Sequence, residues 1–493
     1  MRFRAGLWAL ALTVHVGCAT VPACPAKGGP TWRELTSDHF VVRTDIDEAD
    51  ALVVLRRLED ARAAMLAVVW PRAPELPGRI EGFALASRGE VAAYLGTQFA
   101  AVHIRSPPFP PMMLLFGPAD SAVDANHELA HALSLQLMPL QPPWLAEGLA
   151  DYLSTVHRDE EQEGRVVIGD AVVNRYQYFQ RFGPCSLHTL LGPVPETTFE
   201  QGQFYATSWM LVHYLFNVRP IQLERFVKRL QALEPATKTF AAEFPDLAKG
   251  GLEAVLRDYA FSGKYTARTR AVAPWSGEHQ TRVLPDADVH ASRAILASSI
   301  HSGSEWRTAA RSDVAEALQD PRPPIEAFVL PFLSSQLAPP GLARDELVRR
   351  AVVARPESWM SWWMAATVAP SGSPERRGAL LRARDLNPYA IEVLLLQAFE
   401  LARAQRWRET LHITNDLLPD GALDHDVWLL HLQALLHLGY CPEAQLWGTA
   451  LEGYLNAKEA ALAATIRAQQ ACGPAVTAAP APASQAARPH ARE

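Results

Sequence analysis

Apolar positions recur every three to four residues over 48–69 (EADALVVLRRLEDARAAMLAVV), with no interior Gly or Pro, which predicts a long helix. Ahead of it, HFVVRTD (39–45) reads as a strand. RIEGFALAS (79–87) predicts a second strand, GEVAAYLGTQF (89–99) a short helix and PMMLLFGP (111–118) a third strand. Prolines flank that last run, and proline cannot donate to a ladder, so the third strand is expected at a sheet edge. Further helices are predicted at 124–137, with Asp124 as N-cap and Pro139 as the stop, and at 141–156, whose prolines fall at its start. Others follow at 203–217, 221–233 and 252–263. Strand, helix, strand, helix, strand and then helices predicts an α+β fold on a small mixed sheet.

From about residue 288 the texture changes to helical patterns with short breaks. Prolines recur after helix ends at Pro321, Pro356, Pro388 and Pro419. Their spacing is close to the ~34-residue period of tetratricopeptide repeats. The stretch LLRARDLNPYAIEVLLLQAFELARAQRW is the clearest copy, so an all-α helical-repeat domain is expected over 288–472. The alternative is a helical bundle without repeats. Residues 31–265 form the α+β domain in this reading, 266–287 a linker, and 473–493, low in complexity, a disordered tail.

The first residues bear on the compartment. Arg2 and Arg4 precede the apolar run GLWALALTVHV, too short to span a bilayer, which reads as a secretory signal over 1–18. Cys18, directly after Val16-Gly17, resembles the lipidated cysteine of a bacterial lipobox, although His15 stands where a leucine-like residue is usual. A lipid on Cys18 would give membrane contact, with 19–30 as a tether, and predicts an exported, membrane-anchored protein. In an oxidising compartment Cys441 and Cys472 either pair or remain two small buried residues. The net charge of −7, from 46 basic and 53 acidic residues, gives no electrostatic reason to expect nucleic-acid binding.

The candidate chemistry sits in NHELAHAL, 126–133. On a helix His127 and His131 share one face, so two imidazoles can take two corners of a tetrahedral Zn²⁺. Glu128 is rotated by about 100° and is left to act on a water. A three-ligand site needs one more donor. Glu147, sixteen residues after His131, lies among Trp144, Leu145, Leu149 and Leu153 on the next helix, where a carboxylate needs a partner. Asp151, one turn further on, is placed to orient one of the histidines.

His127-Glu-Leu-Ala-His131 followed by Trp144-Leu-Ala-Glu147-Gly-Leu-Ala-Asp151-Tyr resembles the gluzincin metallopeptidases, and more narrowly the bacterial peptidase-MA-like domain proteins. The resemblance covers about residues 31–265. It implies zincin active-site helices, with His127, His131 and Glu147 as zinc ligands, Glu128 as general base and Asp151 as orienting carboxylate. It also implies a peptide or protein substrate and a tyrosine on a later helix as oxyanion donor. Tyr205 is that candidate, with His213 and Tyr152 as rivals. The spacing from His131 to Glu147 is shorter than in well-known members. A metzincin pattern fails, since Ser134 and Leu137 stand where Gly and His would be needed.

A second class of function remains open: an inactive metallopeptidase-like protein whose repeats hold a protein partner. Trp359, Trp362 and Trp363 fall at i, i+3 and i+4, the spacing of a core-facing seam. His290, His301, His412, His425, His431 and His437 show no ligand spacing and read as ordinary residues.

Overall fold

The structure is a computed structural model; it describes residues 24–452 except 74, 77, 97–100, 105, 118–121, 139–140, 160, 233, 263–265, 302 and 422–424. The proposed signal, Cys18, Cys472 and the tail therefore lie outside the described residues, as does most of the tether. The fold is α+β, with a small mixed sheet and a helical C-terminal region.

The chain opens with strands β1 (Arg33–Thr36) and β2 (Phe40–Thr44), then helix α1 (Glu48–Val69), β3 (Ile80–Leu85) and α2 (Arg88–Leu95). Next come β4 (Ala101–Ile104), β5 (Met112–Phe116), α3 (Ala122–Leu137), α4 (Pro143–Ser154), β6 (His157–Arg158) and β7 (Arg165–Ile168). Six helices follow: α5 (Val173–Phe182), α6 (Leu187–Leu191), α7 (Thr198–Val218), α8 (Pro220–Gln231), α9 (Ala236–Glu243) and α10 (Leu252–Phe261). After β8 (Arg268–Ala271) and β9 (Gln280–Val283) the chain is helical: α11 (Asp286–Ile300), α12 (Ser304–Ala317), α13 (Glu326–Leu333), α14 (Arg344–Ala354) and α15 (Trp359–Val368). It ends with α16 (Pro374–Leu386), α17 (Ile391–Arg403), α18 (Trp407–Gly421), α19 (His425–His437) and α20 (Cys441–Glu452).

Two compact units emerge. One holds both sheets with α1, α2 and α11–α14; the other holds α5–α10 and α16–α20; α3, α4 and α15 contribute residues to both.

In the first unit the six-stranded sheet runs β4-β5-β3-β2-β1-β9. Strands β2, β3 and β5 are parallel, while β4, β1 and β9 pair antiparallel. Helix α1 matches its predicted span, and Asp47 caps it by accepting the Asp50 N–H at 3.0 Å. A capping box at Ser87 and Glu90 starts α2.

One expectation fails here. The strand at 112–116 is not an edge but lies between β4 and β3, and β4 is the edge. The unbroken apolar run Met112-Met113-Leu114-Leu115, all buried, is the pattern of a strand covered on both faces. Pro111 lies just outside the ladder and so does not bar the strand from the interior. Strand β4 is four residues long and carries a histidine, too weak a pattern to register. The stretch 266–287, expected to link two domains, contributes β8 and β9, which pair with β7 and β1.

In the second unit α17, α18, α19 and α20 pack in sequence order, and α17 also touches α19. Leu417, Val427 and Trp428 form a buried core with Ile391, Leu394 and Leu395 around it. Cys441 is disulfide-bonded, whereas Cys24 and Cys185 are free thiols. In the tryptophan seam on α15, Met360 and Met364 are buried, and Trp359, Trp362 and Trp363 are half-buried.

Candidate metal centre

Helix α3 carries the histidines because Ala125, Leu129, Ala130, Ala132 and Leu133 bury one broad side of it. It begins two residues before Asp124, which lies in its first turn rather than at the N-cap. Burial of Leu145, Leu149, Tyr152 and Leu153 does the same for α4. Its first turn is anchored by Trp144, whose ring stacks on Phe226 at 5.8 Å and meets Phe240 edge-on at 5.7 Å.

Two polar clasps align the pair. Asn126 Nδ2 donates to the carbonyls of Ser154 and Val156, at 3.1 and 3.2 Å, so the start of α3 lies beside the end of α4. Across the turn, Gln141 Nε2 donates to Ser134 Oγ at 2.9 Å. Asn126 precedes the first histidine, and its structural role was missed from sequence. A buried amide next to the motif is a weak signal, because its partners are carbonyls about thirty residues away.

His127, His131 and Glu147 each bring one ligand-capable atom into a group in which all these atoms lie within 4.8 Å of one another. The two Nε2 atoms are 3.1 Å apart, and the rings meet nearly at right angles, at 79°. Two nitrogens on one tetrahedral zinc ion would stand about 3.3 Å apart, so the pair needs almost no adjustment. The donor set, two imidazoles and one carboxylate, suits zinc. The residues present fit the metal.

Asp151 Oδ1 stands 3.1 Å from His127 Nδ1, with the carboxylate side chain only 5% exposed. A hydrogen bond from Nδ1–H leaves the Nε2 lone pair directed at the other donors. Glu128 stays outside the group. Its Oε2 accepts the backbone N–H of His103, on the edge strand β4, at 2.7 Å. That partner is a main-chain group, which no residue-type pattern could have indicated.

Gly148, directly after Glu147, is a second residue overlooked in the sequence. A Cβ there would lie 2.3 Å from the Ser208 carbonyl oxygen, so α4 and α7 touch backbone to backbone at this point. A glycine inside a helical pattern was the available signal.

Of the oxyanion candidates, Tyr205 is half-buried on α7, with the Arg175 guanidinium 4.9 Å from its ring centre. His213 is fully buried, its Nδ1 2.8 Å from the Tyr259 hydroxyl and 3.0 Å from Asn217 Nδ2. Tyr152 is fully buried too, and its burial pushes the phenol up to about 12. Both rivals are core residues, which leaves Tyr205 as the accessible one. Compared with known proteins, the chain matches no family model and no curated protein sequence.

Proposed function

We propose that this protein is an exported zinc-dependent peptidase. The observation that carries the reading is the convergence of His127, His131 and Glu147, with Asp151 on His127 and with Glu128, next in the chain to His127, tied to the His103 N–H. Zinc held there would supply Lewis acidity, polarising a carbonyl and bringing the pKa of water toward ~7. Glu128, with Oε2 anchored by His103 N–H, uses its other oxygen to take the proton of the attacking water and return it to the leaving amine. Asp151 fixes the tautomer of His127. Tyr205 is the proposed hydroxyl donor to the oxyanion.

Since β5 is interior, an extended peptide substrate would lie along the edge strand β4 instead, next to the His103 N–H that Glu128 takes. Export and a lipid anchor at Cys18 belong to the same proposal; among the described residues no helix is long and apolar enough to cross a membrane.

The test pairs metal content with turnover. Glu147→Ala should lose one equivalent of zinc relative to the wild type. Glu128→Gln keeps an oxygen for His103 N–H, so it should keep its zinc and lose about 10²–10⁴-fold in cleavage of a mixed peptide pool. Zinc retained by Glu147→Ala, or cleavage indifferent to Glu128→Gln, overturns the proposal. Bound zinc without cleavage by the wild type points instead to the protein-binding reading.

A further inference from the structure

A second convergence lies away from α3 and α4, in the unit that holds the sheets. Cys24, His290 and Asp313 come together from the N-terminal segment, α11 and α12. Cys24 Sγ is 3.4 Å from His290 Nδ1, and the same nitrogen is 2.7 Å from Asp313 Oδ1. The three ligand-capable atoms lie within 4.8 Å of one another, and all three residues are buried, Cys24 completely.

The geometry distinguishes among the uses of such a trio. In a nucleophilic relay the thiol and the carboxylate contact opposite nitrogens of the imidazole. Here both face Nδ1, so no proton can pass through the ring from sulfur to carboxylate. Three donors instead surround one point. A thiolate, an imidazole and a carboxylate are a donor set for zinc and other cations that accept sulfur. Sγ and Nδ1 already stand near the spacing of two ligands on one zinc, about 3.5 Å. The Nδ1–Oδ1 pair would open by about half an ångström as the cation replaces the shared proton.

The surroundings fit as well. Arg293 Nε donates to Asp313 Oδ2 at 3.3 Å, which holds the far carboxylate oxygen and leaves Oδ1 facing the trio. Its Nη1 lies 3.9 Å from Cys24 Sγ.

We propose that Cys24, His290 and Asp313 form a second, structural cation site, selective for zinc-like ions, that pins the N-terminal segment to the α11–α12 pair. The segment is already docked there. Ala26 N–H donates to the Asp286 carboxylate at 3.1 and 3.2 Å, and Lys27 pairs with Glu316 at 3.4 Å. A cation at Cys24 would join residues 266 positions apart in the chain.

The test uses the reduced full-length chain with the first group silenced by His127→Ala and His131→Ala. Loaded with Co²⁺ and freed of excess, this variant should hold one cobalt per chain and show a thiolate-to-cobalt charge-transfer band. Adding Cys24→Ser should abolish the band and the bound ion, with unchanged circular dichroism. In the otherwise wild-type chain, Cys24→Ser should lower the zinc content by one equivalent. If the silenced chain binds no cobalt, or binds it without a thiolate band while Cys24 is titrated as a free thiol after unfolding, the trio holds a proton only and the proposal falls. Because the readout is the sulfur signature, the outcome is independent of whether His127 and His131 bind zinc.

Discussion

The main-chain N–H of His103 donates to Glu128 Oε2 at 2.7 Å, tying the edge of the sheet to the residue beside the metal-capable group. If Glu128 is the base, this bond sets its position. His103→Pro removes the N–H at a sheet edge, where proline is tolerated. Peptidase activity should fall about 10–100-fold, the worth of a hydrogen bond to a charged group, with zinc content unchanged. His103→Ala keeps the N–H and should remain near wild type. Equal losses in the two variants would show that the side chain, not the backbone donor, matters.

Asp151 acts on His127 through a buried contact of 3.1 Å. Asp151→Asn keeps the shape and removes the charge. Zinc affinity, read by competition with a chelating dye, should weaken about 10–100-fold. An unchanged affinity would mean that His127 needs no orienting partner.

Gly148 decides whether α4 can reach its place. Gly148→Ala pushes a methyl group to 2.3 Å from a backbone oxygen of α7 that cannot step aside. The variant should lose about 1–3 kcal/mol in denaturant unfolding and bind zinc less tightly, since Glu147 moves with the helix. Gly378, on α16, has open space around it, and Gly378→Ala should stabilise by about 1 kcal/mol. A Gly148→Ala variant as stable as wild type would remove the argument for close helix contact.

His431 is buried on α19, with Nδ1 3.0 Å from Thr414 Oγ1 and its ring 4.8 Å from that of Trp447. Burial lowers its pKa to about 4, so the folded chain keeps it neutral. The unfolded chain takes up the proton near pH 6.5. Its contribution to stability is therefore complete above pH 6.5 and declines as the pH falls toward 4. The Tm of the helical region should drop over that window in the wild type, and by less in His431→Leu. Parallel curves for the two proteins would assign the acid sensitivity to other groups.

Much of the local structure was legible from the residues. Helix α1 follows from its apolar period, and the shared face of His127 and His131 from their spacing of four. Asp151, one turn beyond Glu147, could be assigned to the histidines by the same rule, and its Oδ1 does meet His127. The apolar run of β5 reads as a strand, but the flanking prolines point to an edge, whereas the run within it, buried throughout from Met112 to Leu115, belongs to the sheet interior. Strands β1, β4, β6, β7, β8 and β9 carry no legible period, being at most four residues long.

The sequence by itself determined which side chains point the same way along one helix, since the 3.6-residue turn depends only on neighbours. It therefore carried the histidine pair, the offset glutamate and the helix bearing Glu147. Tertiary structure alone decided that β4 forms the edge, that His103 offers its N–H to Glu128, and that α4 needs a glycine against α7. It also brought Cys24 to His290 and Asp313. The contacts at Glu128, Gly148 and Cys24 join residues from 25 to 289 positions apart, and chain folding in three dimensions, rather than any local period, sets which distant groups meet.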